Sequence, residues 1–182
     1  MPPEYEGPQK LEYLLTSCPW PIHAVLTRKG AIEEVGNFDE RFSNAEDYGL
    51  WLKIASFHRI VRVPEVLPFY HFHEGTQASK HMAKAALDHW QVQQEFLKEH
   101  PEVGRQLGRR RIRQLTLGGL LKSGYVCYWE RDLTGARRIF RLVMKNGYGG
   151  LTDWKYMLPA LLPLSVHDAL IRLREGSEAA AT

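Results

Sequence analysis

The sequence predicts an α/β region over residues 1–79 followed by an α-helical domain over 80–182. Three observations carry that division. Short extended runs, two of them punctuated by proline, alternate with short helices as far as residue 79. Beyond Lys80, apolar residues recur at helical spacing in longer segments. At 182 residues, 44% apolar and 25% charged, the chain can bury a core and has the composition of an ordinary globular protein.

Pro2, Pro3 and Gly7 make a loose lead-in, and Lys10 to Leu15 fit a short helix. In Cys18-Pro19-Trp20-Pro21-Ile22-His23 the alternate prolines bar a helix and favour an extended run. Ala24 to Thr27 continue it as a short strand, and Arg28 to Val35 give one or two helical turns ending at Gly36. The stretch from Gly36 to Trp51 organises the region. Asn44 suits an N-cap, with Asp47 three residues on, where a carboxylate answers the free amides of a first turn. Leu50, Ile54 and Ala55 then recur at helical spacing, with Trp51 beside them. Arg59 to Val63 alternates as a strand does, Pro64-Glu65 turns, and Val66 to Phe72 forms a second extended run leading to His73.

In the helical part, Ala83, Leu87, Trp90 and Phe96 build one amphipathic helix stopped at His100-Pro101. A second runs from Val103 to about Ser123 and carries Arg105, Arg109, Arg110, Arg111 and Arg113. Gly118, Gly119 and Gly124 either weaken its end or allow close helix contact. Asp132 caps a third helix, Leu133 to Lys145, with Ala136, Ile139, Phe140, Val143 and Met144 on its apolar face and Asn146-Gly147 closing it. Thr152 to Arg174 reads as two short helices interrupted by Pro159 and Pro163.

A net charge of +3 is too weak to imply nucleic acid, and no base-reading motif accompanies it. Cys18 and Cys127 lie far apart and outside any metal-ligand spacing, which suits reduced thiols. The first ten residues lack the apolar core of a signal peptide, and the apolar runs fall short of the roughly 20 residues of a membrane span. The expected location is cytoplasmic, with two routes to the inner face of a membrane. The basic helix around Arg109 to Arg113 suits a solvated face or anionic head groups. Trp154 to Leu164 suits a shallow surface element or packing within the helical domain.

From Val35 through Leu52 the string Gly-Asn-Phe-Asp-Glu … Glu-Asp-Tyr-Gly-Leu-Trp-Leu resembles the acceptor-side segment of family 2 glycosyltransferases, inverting enzymes of GT-A fold. The resemblance extends from about Pro19 to Ser79; Tyr70 and His73 match its end, while His71 stands where the family commonly has Arg. It implies part of a Rossmann-like GT-A sheet, and transfer of a sugar from a nucleotide-diphosphate donor to a glycan or lipid-linked acceptor hydroxyl. Asp47 would be the catalytic base, with Glu46, Asp39 and Trp51 on the acceptor side; Trp51 suits a core position equally well. His73, and less directly His71, would meet a diphosphate or a divalent metal, Mn or Mg, at a site largely outside this chain. No Asp-x-Asp and no glycine-rich phosphate loop occurs in the sequence. The resemblance therefore implies a fragment lacking the nucleotide-binding half. The alternative is a non-catalytic acceptor-binding or helical adaptor remnant.

Overall fold

A computed structural model describes residues 9–42, 44–63, 65–69 and 82–168. The order of helices is α1 (Lys10–Leu14), α2 (Lys29–Glu34), α3 (Glu46–Phe57), α4 (Met82–Glu99), α5 (Pro101–Leu107), α6 (Arg109–Trp129), α7 (Leu133–Lys145) and α8 (Leu151–Met157). Single 3-10 turns cover Ile22–Ala24 and Leu158–Leu161. No strand occurs among the described residues.

The expected α/β class, with a partial GT-A sheet, is therefore corrected to a helical one among the described residues. The strand expected at 24–27 begins inside a 3-10 turn and continues as irregular chain. Residues 59–63 and 66–69 are irregular too, with Val61 65% and Val63 57% exposed. Alternation of apolar and polar residues is a local signal, whereas a ladder needs a neighbouring backbone to receive its N–H and C=O groups. Among the described residues these segments have no such neighbour.

The chain forms two compact units, Met1–Gly119 and Leu120–Thr182, parted within α6. In the first unit α3 packs against α4, α1 and α2. Its core gathers Leu14, Leu15, Tyr48, Leu52, Ala55, Val92 and Phe96. Gly49 lets α3 and α4 approach: a Cβ there would lie 3.3 Å from a Val92 methyl. The C-terminal carbonyls of α1, which lack helical partners, are satisfied from those two helices. The Tyr48 hydroxyl donates to Leu14 O at 2.8 Å, and Gln93 Nε2 donates to Leu15 O at 3.0 Å.

The helix expected from Val103 to Ser123 is two helices, α5 and α6, parted at Gly108, whose φ of 78° ends the first. In the second unit Asp132 caps α7 as expected, accepting from Gly135 N at 2.8 Å. Gly147, at φ 59°, follows its end. Gly124 on α6 lies so close to α7 that a Cβ would sit 2.8 Å from both Ile139 and Phe140. Asp153 closes the start of α8. It accepts from Gly150 N and from the Tyr125 hydroxyl, each at 2.7 Å.

Candidate site at the start of α3

Glu46 and Asp47 open α3, where the partial positive charge of the helix end favours carboxylates. The N-cap is Ala45 rather than the expected Asn44, and it is fully buried. Asn44 is diverted: its amide donates to Asp88 on α4 at 3.2 Å. Without a capping side chain from residue 44, Asp47 turns back on its own helix, and its Oδ1 accepts from Tyr48 N at 2.7 Å.

Asp47 is half-buried. Burial holds its carboxyl above the ordinary carboxylate value, and the Glu46 charge acts in the same direction. The Tyr48 amide bond and the nearby His89 pull the other way, more weakly. His89, on α4, stacks on the Tyr48 ring with centroids 4.6 Å apart. Burial holds its imidazole below the ordinary histidine value, against the charges of Asp47 and Asp88 and a hydrogen bond with the Asn44 backbone. Cys18 completes the group. Its thiol is pushed up to about 12, first by burial and then by the Asp47 charge, so it stays protonated and a poor nucleophile.

The site thus pairs a carboxylate of raised basicity with a neutral imidazole, on a tyrosine–glutamine network that locks three helices together. Tyr48 Oη accepts from Gln93 Nε2 at 3.1 Å, which holds the residue next to Asp47 in a single position. An arrangement of this kind can take a proton from a bound hydroxyl and hand it on.

The other expected residues fall into distinct places. Asp39 is clamped by Arg41, with contacts of 2.9 and 2.6 Å, and Arg41 reaches on to Glu95 at 2.6 Å. Asp39 and Glu95 line a cleft of about 30 Å³ together with Asn37, Phe42, Gly49 and Lys53, room for roughly one or two waters. Asp47 is not among the residues lining it. Trp51 is 4% exposed, in the core, and its indole N–H donates to Trp20 O at 3.1 Å. His71 and His73 lie outside the described residues. No group of three or more His, Cys, Asp or Glu side chains suited to a metal occurs among the described residues. In the basic run, Arg111 pairs with Glu12 on α1 and donates to Gln114 at 2.9 Å, so this arginine ties α6 to α1. No helix among the described residues is long and apolar enough to cross a membrane.

His89 and Cys18 belong to the site without having been expected there. Each is a lone residue with no motif around it, far from Asp47 in sequence, and only the packing of α4 and of the 18–20 stretch against α3 brings them in.

Comparison of the chain with known protein families, with characterised proteins and with solved structures gives no match. Membership of the family 2 glycosyltransferases, which the 35–52 string suggested, is therefore without support, and the helical architecture contradicts the sheet on which it depended.

Proposed function

We propose that the chain supplies the base in an inverting transfer of a sugar from a nucleotide-diphosphate donor to an acceptor hydroxyl, the donor being held by residues outside this chain. Asp47 takes the acceptor proton as the oxygen attacks the anomeric carbon. Burial, and after it the Glu46 charge, keeps the Asp47 proton affinity high, and His89 is a neutral neighbour able to accept a hydrogen bond. The observation that carries the reading is the half-buried Asp47 at the start of α3, its carboxyl raised by burial and its position fixed by the Tyr48 amide. A base matched to its task in this way contributes roughly 10²–10⁴ in rate.

The test is a transfer assay with nucleotide-diphosphate sugars and Mn²⁺, using the chain alone and co-expressed with the polypeptide encoded beside it. In the active preparation, Asp47→Asn lowers turnover by roughly two orders of magnitude or more, with donor affinity unchanged by calorimetry. Turnover like that of the wild type removes Asp47 from the mechanism. A second reading, an adaptor protein without catalysis, is favoured by the cleft beside Asp39 having room for only roughly one or two waters and by Asp47 not lining it. It requires that no pairing of the chain with its neighbours yields transfer.

A further inference from the structure

The segment after α8 is built with its apolar side chains on two opposite sides. Met157 and Ala160 are fully buried and anchor the 3-10 turn Leu158–Leu161 against α7. Arg141 of α7 fixes the same turn from beneath, its Nε donating to Ala160 O at 2.7 Å and its second nitrogen to Leu161 O at 3.4 Å. Around these anchors the leucines are turned outward. Leu158, Leu161, Leu162, Leu164 and Val166 are exposed, and Leu151, two helical turns before Leu158, is 93% exposed. Pro159 and Pro163 hold this row in its broken-helix path, since neither can continue a helix from within.

Five exposed leucines in sixteen residues exceed what scattered surface apolar residues explain. Within residues 151–166 the one exposed charged side chain is a cation, Lys155. Between Gly149 and Val166 the only acid is Asp153, and both its oxygens are engaged inside the unit by Tyr125 and Gly150. Lys155 lies exposed over the Tyr156 ring at 4.8 Å, and the Arg141 guanidinium sits at the base of the leucine turn. Trp129, also exposed, meets Tyr156 edge to face at 6.0 Å. Aliphatic side chains flanked by Lys, Arg, Trp and Tyr, with no free carboxylate within residues 151–166, match the head-group boundary of an anionic bilayer.

We propose that the second unit docks on an anionic lipid bilayer through the leucine face of residues 151–166, the leucines entering the acyl boundary while Lys155 and Arg141 meet lipid phosphates. The proposal is independent of the sugar-transfer reading and does not involve the basic run Arg109 to Arg113.

The test is flotation of the full chain with phosphatidylcholine vesicles, with and without phosphatidylglycerol, at low and high salt. Binding is expected to the anionic vesicles, weakening by roughly ten-fold at high salt or in Lys155→Glu. The triple variant Leu151→Ser, Leu161→Ser, Leu162→Ser is expected to lose it with circular dichroism unchanged. Should that variant lose helicity, Leu151→Ser alone, at the most exposed position, and Lys155→Glu carry the comparison, each weakening binding several-fold. Absence of binding to anionic vesicles at low salt overturns the proposal. So does binding that the leucine and lysine variants leave intact, or self-association in sedimentation velocity that the leucine variants abolish while no vesicle binding occurs.

Discussion

Tyr48 stacks on His89 with the two rings 20° from parallel, and the same tyrosine carries its hydroxyl into the end of α1. One side chain therefore joins the proposed proton-handling site to the core. Removing the hydroxyl in Tyr48→Phe keeps the stack but leaves Leu14 O without its donor and Gln93 without one acceptor, both buried. A buried polar group left unpaired costs about 1–3 kcal/mol. Urea unfolding of the variant is expected to show a lowered midpoint with the same slope. An unchanged midpoint refutes the network as a stabilising element.

The acid side of the stability curve follows from two histidines. His89 is held below the ordinary value of 6.5, chiefly by burial. His167, fully buried with neither ring nitrogen hydrogen-bonded, is lowered by burial first and by Arg137 second. For each, the unfolded chain binds a proton at a pH where the fold does not, so their stabilisation is complete above pH 6.5 and declines as pH falls below it. The slope is at most about 1.4 kcal/mol per pH unit for each histidine. Asp47 titrates in the opposite sense: its raised carboxyl takes up a proton in the fold before the unfolded chain does, which favours the fold as pH falls toward the ordinary 3.8. Thermal unfolding is expected to show a falling Tm between pH 7 and pH 5, flattened in His167→Gln and His89→Gln. A Tm independent of pH over that interval, or one that rises on acidification, contradicts this.

The helices were legible because their signals are local. Asp132, the apolar face of Ala136, Ile139, Phe140 and Val143, and Asn146-Gly147 define α7 almost to the residue. His100-Pro101 ends α4 where a proline must. The same locality misled at residues 59–63, where Val61 and Val63 alternate with Arg62 but, among the described residues, have no neighbouring strand to pair with. It misled at Asn44 as well: a good capping residue was taken by Asp88, whose arrival depends on α4 crossing α3. For the site, Asp47 could be read from its place at a helix start. His89 could not, because its proximity to Asp47 comes from helix packing across some forty residues that no spacing rule encodes.

Gly124 gives the sharpest test of the second unit. The ambiguity in the sequence, between a weakened helix end and a close contact, is settled by α6 continuing to Trp129 and by α7 lying directly over residue 124. In the open, alanine in place of a helical glycine would stabilise by roughly 0.5–1 kcal/mol. Here its Cβ would meet an Ile139 methyl and the Phe140 ring at 2.8 Å, closer than atoms in contact can lie, and both neighbours are fully buried with no free volume to yield. Overpacking of this kind typically costs 1–3 kcal/mol, enough to outweigh the gain in helix propensity. Gly124→Ala is therefore expected to lower the Tm, whereas Gly30→Ala, in α2, where a Cβ meets nothing within 4 Å, is expected to hold or raise it. The pair separates contact from propensity, since both place alanine in a helix and only one meets a neighbour. A Tm raised by Gly124→Ala shows that α6 and α7 do not pack at that distance.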